Sequence, residues 1–219
     1  MRIKVLKLSK LNSRYLFLIV IISSCLITYI SQEIIISDEI FRRHLIQQLD
    51  IVRIELILGY RRQWAWVNYA ILPIIYLLKF TIISLWLLCG IILFGYKTTF
   101  KKIFGVVLIS EFIWILPSLI SIIWFVLIDS EYTLSDLQYF QPLSLMNFFN
   151  GEQVETWLVL PLKSLNLFQV AYMLVLALGI RRLINRDYNT SLSFVVPTYG
   201  LGLITWIVFI TFISINLSS

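Results

Sequence analysis

Five apolar stretches, 15–30, 67–95, 103–128, 165–180 and 191–215, hold between them only two side chains that carry charge at neutral pH, Lys79 and Glu111. A helix of about 20 apolar residues crosses the ~30 Å hydrocarbon core of a bilayer, and in lipid a helix satisfies its own backbone donors and acceptors. The competing reading, a soluble domain that packs all five stretches into one core, needs polar surface to cover that core. With 14% charged and 59% apolar residues, this 219-residue chain lacks it, since soluble domains average ~25% and ~45–50%. A soluble enzyme is therefore excluded. The expected fold is all-α, a polytopic integral membrane protein forming one membrane domain over 1–219.

The stretches differ in quality. At sixteen residues 15–30 is ~24 Å long as a helix, short unless it continues toward Ile36. The stretch 67–95 is long for one crossing and is opened by Trp64, Trp66 and Tyr69, aromatics of the kind that sit at headgroup level. It is expected to tilt, to kink near Pro73, or to begin as an interfacial helix. Pro117 is expected to kink 103–128, and Pro197 to bend 191–215 near its start.

Lysine and arginine set the expected orientation, because basic residues are retained on the cytoplasmic side. With the N-terminus inside, the inner segments hold Arg2, Lys4, Lys7, Lys10 and Arg14, then Lys97, Lys101 and Lys102, then Arg181, Arg182 and Arg186, against the single acid Asp187. The outer segments carry six basic residues and ten acids, from Glu33 to Glu155. An odd number of crossings places the C-terminus outside. The basic residues form no stripe with interleaved aromatics, so a nucleic-acid partner is not expected.

Two outer segments exceed a turn. From Ser37, an expected N-cap followed by Asp38 and Glu39, the apolar residues Phe41, Leu45, Leu49, Val52 and Leu56 recur at helical spacing. Arg42, Arg43, Gln47, Asp50, Arg53 and Glu55 lie opposite. This predicts one amphipathic helix over 37–58, resting on the outer leaflet or on a partner, with Trp64 and Trp66 extending that interface. The segment 129–163 mixes aromatics with Pro142, Gly151 and Pro161 and reads as an interfacial or re-entrant loop.

Few residues offer chemistry. Lys79 and Glu111 would each cost about 2.5–3.5 kcal/mol unpaired at mid-membrane. Counted from the turn at 96–102, Glu111 stands ~13 Å and Lys79 ~25 Å along their helices. That gap of ~12 Å disfavours a direct salt bridge; a lysine reaching toward solvent and a glutamate bonded to a nearby Ser or Tyr is the expected arrangement. His44 lies six positions from both Asp38 and Asp50, on other faces of a helix. An enzyme would have to gather His44, Asp136 and Glu152 or Glu155 in one cavity. One histidine and two cysteines, Cys25 and Cys89, in separate apolar stretches suggest no cofactor, metal cage or disulfide framework. Ile22-Ser23-Ser24-Cys25 matches the box before a lipidated cysteine, but the apolar run continues past Cys25, so a retained first span is expected.

From Leu165 to Phe168 the chain reads Leu-Asn-Leu-Phe, followed by a small-residue helix ending in Leu178-Gly179, a basic turn and a final apolar span. Over 162–215, about a quarter of the chain, this resembles the C-terminal half of the Yip family of five-span membrane proteins. The resemblance implies a bacterial member that acts through partners in a membrane and has no catalytic residues. Its composition suits a bacterial inner membrane. The expected function is a non-enzymatic membrane subunit or scaffold that binds a membrane or extracytoplasmic partner. A small permease or channel component with Lys79 and Glu111 lining the path is the alternative, and a membrane-embedded enzyme a third.

Overall fold

The computed structural model describes residues 13–46 and 49–218, which are all-helical. Of the N-terminal basic cluster only Arg14 falls among them; Arg2, Lys4, Lys7, Lys10 and Gln47 lie outside the described residues. Nine α-helices run in chain order among those described: α1 Ser13–Ile30, α2 Asp38–Leu45, α3 Ile51–Leu93, α4 Phe100–Ser110, α5 Ile115–Ile123, α6 Leu134–Tyr139, α7 Thr156–Ser164, α8 Leu167–Ile184 and α9 Tyr188–Ser218. Five helical segments are long and apolar enough to cross a membrane: Ser13–Ile35, Ile51–Leu93, Phe100–Ile128, Leu167–Ile184 and Tyr188–Asn216.

Each expected stretch has its helix, with boundaries set by local chemistry. α1 continues as a π-helical turn, Ser31–Ile35, giving a 23-residue segment, so the shortfall of 15–30 disappears. The third segment is interrupted where a proline demands it. Pro117 has no N–H for the Ile113 carbonyl, and the turn before it, Glu111–Trp114, tightens to a 3-10 helix before α5 resumes. The Oγ of Ser118 and of Ser121 donates to the carbonyl four residues back, that of Trp114 and of Pro117, at 3.2 and 3.0 Å.

The expected single helix over 37–58 is corrected. The chain breaks after α2, and Asp50, extended at φ −68° and ψ 147°, starts the 43-residue α3. Val52 and Leu56 therefore belong to a different helix from Phe41 and Leu45, and the five residues form no common stripe. Phe41, Leu45 and Leu49 are half-buried, whereas Val52 and Leu56 are exposed. The buried face of this part of α3 is Ile54 and Leu58, two positions along. α2 is tied beside it by ion pairs of Asp38 with Arg61 (2.7 Å) and Arg62 (2.9 Å) and of Arg42 with Glu55 (2.6 Å). The Arg61 guanidinium also lies over the Phe41 ring, 4.3 Å from its centre.

The basic turns meet at one end of the bundle, where the Arg186 guanidinium stands 6.0 Å from the Tyr96 ring centre. Asp187 opens α9 there, accepting from Thr190 N and Oγ1, and these bonds hold its carboxyl below the ordinary carboxylate range. The opposite end is capped by α2, α6 and the 3-10 turns Leu145–Phe148 and Gly151–Gln153. α6 begins with a capping box, in which Thr133 Oγ1 accepts from Asp136 N and the Asp136 carboxylate accepts from Thr133 N. Tyr132 Oη donates to the Ile35 carbonyl at 2.9 Å, tying this cap to the end of the Ser13–Ile35 segment.

The core lies in the half of the bundle nearer the basic turns, among Leu16, Val20, Phe80, Leu87, Ile91, Ile103, Val107, Tyr172, Leu176, Ile180 and Phe194. Small residues set the close approaches. A Cβ on Gly179 of α8 would meet Val106 of α4, one on Gly90 of α3 would meet Thr198 of α9, and one on Gly202 would fall 2.9 Å from the Trp86 indole nitrogen. Trp86 Nε1 donates to the Thr198 carbonyl at 2.7 Å, so the α3–α9 contact combines small-residue packing with a polar tie.

Candidate functional site

The two charged residues of the long apolar segments meet. Lys79 Nζ lies 2.5 Å from Glu111 Oε1, contrary to the sequence expectation of separate fates. The turn is the reason. α3 ends at Leu93, Gly95 turns the chain with φ +79°, and α4 begins only at Phe100. Measured from these helix ends, Lys79 is 14 residues back (~21 Å) and Glu111 is 11 residues on (~16 Å). The axial gap is ~5 Å, which a lysine side chain covers.

The surroundings of the pair are unequal. The Glu111 side chain is 3% exposed and that of Lys79 39%. The Lys79 ammonium also faces the rings of Tyr76, Phe80 and Trp114, with centres 5.5–5.9 Å away, so aromatic quadrupoles supply part of the solvation lost in the bundle. Glu111 Oε2 and the Tyr172 hydroxyl are buried and have no hydrogen-bond partner among the described residues.

Beyond Glu111 the polar groups continue toward the capped end. Tyr172 is fully buried on α8, between Trp114 (ring centres 6.1 Å apart) and Tyr199 of α9 (5.3 Å). Gln169 Nε2 donates to Tyr199 Oη at 2.7 Å, and Asn166 Oδ1, as N-cap of α8, accepts from Gln169 N at 2.9 Å. Asn166 sits in the break between α7 and α8, where Leu145 N donates to the Leu165 carbonyl and Leu167 N to that of Leu143, at 2.9 and 3.1 Å. The segment 129–163 holds α6 and α7, and its middle pairs with this helix break. Within it, outside the five spans, Lys163 Nζ donates to the Gln138 carbonyl at 2.8 Å, and burial pushes its ammonium below the ordinary lysine range.

Asn166→Ala removes the α8 cap and the donor to the Lys163 carbonyl. A lost N-cap costs about 1 kcal/mol. The expected result is a lower thermal midpoint together with faster amide exchange at Leu145 and Leu167, read by exchange mass spectrometry; unchanged exchange there would separate the cap from the break.

A cleft of about 100 Å³ lies beside the ion pair, lined by Ser24, Ile27 and Thr28 of α1, Tyr76 of α3, and Glu111 and Ser118 of the third segment, among others. The other sequence candidates do not join this site. Trp64 and Trp66 are exposed on α3. His44 is half-buried on α2, and the Asp136 carboxylate is engaged in its capping box. Cys25 is half-buried and Cys89 exposed, both free. The network of Tyr172, Tyr199, Gln169 and Asn166 was missed from the sequence, although Gln169 and Asn166 are the only amide side chains of 165–180. Comparison of the chain with protein-family models, with curated proteins and with solved structures finds no match.

Proposed function

We propose that the protein is a non-enzymatic integral membrane subunit that binds another membrane protein through the far reach of α3. One observation carries this reading. α3 has 43 residues, ~64 Å of helix, about twice the ~30 Å hydrocarbon core. Along its first turns Val52, Leu56, Tyr60 and Trp64 recur every fourth residue and are all more than half exposed, while Ile54 and Leu58 on the other side are buried. A contiguous apolar ridge of this kind marks an interaction surface. Its aliphatic and aromatic composition fits the apolar face of a partner helix, with Trp64 and Trp66 at headgroup level.

In this reading the membrane is a bacterial cytoplasmic membrane, the basic turns face the cytoplasm, and the ridge lies at or beyond the outer surface. The test is purification in mild detergent of the wild type and of Val52→Asn/Leu56→Asn. A membrane protein held at fixed stoichiometry by the wild type and lost from a variant with unchanged thermal midpoint supports the reading. A chain that elutes alone, or a companion retained by the variant, refutes it.

The Lys79–Glu111 pair favours a second reading, a small permease or channel component, because charges kept within a bundle often mark ion or proton paths. Proteoliposomes holding the chain alone would then show a flux that Glu111→Gln abolishes; the subunit reading expects none.

A further inference from the structure

We infer that the cavity at the capped end of the bundle binds an organic ammonium group between aromatic walls and two aspartates. The inference is independent of the partner proposed for α3. The cavity holds about 290 Å³ and is bounded by the π-helical turn Trp124–Ile128 that ends the third segment, by α6, and by the two 3-10 turns that follow it. Its size lies at the lower end of the range for small-molecule sites, so it suits a single headgroup.

Three observations identify the occupant. The first is the walls, to which Trp124, Phe125, Tyr139, Phe140 and Phe149 all contribute. An aromatic ring attracts a cation over its face, and several rings around one cavity are how quaternary ammonium groups are recognised. These rings are held in place by one another: Trp124 stacks on Phe140 with centres 5.5 Å apart, and Phe125 meets Phe140 edge-on at 5.0 Å. A Cβ on Gly151 would lie 2.5 Å from the Tyr139 ring, so the glycine lets its turn close against α6. Trp124 and Phe149 stay exposed, which leaves ring surface for an occupant.

The second is charge. Asp129 and Asp136 line the same cavity, and among the described residues no lysine, arginine or histidine does. Neither carboxylate takes part in an ion pair among the described residues, and the donors that Asp136 receives from Thr133 in its capping box are neutral. From 129 to 162 the chain carries five acids and no basic residue, so the local field favours a cation. The third is the kind of cation. A divalent metal ion takes about six oxygen ligands, and among the described residues no third carboxylate, imidazole or thiolate joins the two aspartates. An alkylammonium group uses the rings and the carboxylates together.

The test uses the full chain in dodecyl maltoside, an uncharged detergent, and two probes of matching shape: a diazirine carrying a trimethylammonium group and its neutral counterpart carrying a tert-butyl group. After illumination, peptides from 124–140 and 146–151 should carry the cationic probe about tenfold more than the neutral one, a factor within reach of a desolvated cation–ring contact. Asp129→Asn and Phe149→Leu should each lower the cationic labelling about fivefold and leave the neutral labelling unchanged. Equal labelling by the two probes, cationic label absent from those peptides, or cationic labelling untouched by both variants would each overturn the inference. Choline and diheptanoylphosphatidylcholine then separate a soluble amine from a lipid headgroup as the source, according to which removes the label at lower concentration. Diheptanoylphosphatidylglycerol, which lacks the ammonium, should remove none; its competing as well as the choline lipid would overturn the inference.

Discussion

Lys79→Met lowers the thermal midpoint of the detergent-solubilised protein more than Glu111→Gln does. The lysine variant leaves a carboxylate in a 3% exposed position without its cation. Removing one partner of a buried ion pair costs about 3–5 kcal/mol, and for a chain of this size that corresponds to a drop of about 10 °C. The glutamine variant leaves an ammonium whose side chain is 39% exposed and lies among three aromatic rings. Its long stem lets the charge reach water, so the expected loss is only about 1–2 kcal/mol. The double reversal, Lys79→Glu with Glu111→Lys, should regain part of the loss seen in either single reversal. Strict additivity in a differential scanning measurement would mean that the two residues do not interact.

Gly179→Leu should push α8 off α4 and destabilise the bundle strongly. Even a Cβ at this position runs into Val106 of α4, lying 3.0 Å from Cγ2 and 3.2 Å from Cβ and nearer still to Cγ1. Overpacking of this kind costs about 1–3 kcal/mol for a methyl group and more for an isobutyl group, because both helices must separate along their contact. Val106→Ala in the Gly179→Ala background should restore most of the lost midpoint, since it removes the methyl groups in conflict. Gly59→Ala and Gly200→Ala are the controls. Open space surrounds both positions, so the gain in helix propensity over glycine, about 1 kcal/mol, should leave stability equal or higher. Equal losses at 179 and 200 would remove the α8–α4 contact from the account.

How much of this was legible in the sequence follows from the range of the interactions concerned. The five long apolar helical segments are a matter of local composition, and Lys79 and Glu111 stand out because charge is so rare in them. Their pairing was not legible, since it depends on where a turn begins and ends. Placing the turn at 96–102 separated the two residues by ~12 Å, whereas its actual span, from the end of α3 at Leu93 to the start of α4 at Phe100, closes most of that gap. The same sensitivity undid the helix over 37–58. A helical period carries Phe41 and Leu45 smoothly into Val52 and Leu56, but one extended residue, Asp50, resets the phase and leaves the last two exposed. The Tyr172, Tyr199, Gln169 and Asn166 network depends on α8 and α9 lying side by side and on Leu143 and Leu145 reaching back to the helix break, long-range facts that no local pattern encodes.

The central claim is that the chain crosses a bilayer five times with its basic turns on one face. Single cysteines introduced into a Cys25→Ser/Cys89→Ser background at Thr98, Asn185, Glu131 and Ser218, treated in intact cells with a membrane-impermeant maleimide, test it most directly. The account predicts labelling at 131 and 218 and protection at 98 and 185 until the membrane is permeabilised. Labelling at 98 together with 131, or protection at 218 matching that at 98, would contradict it.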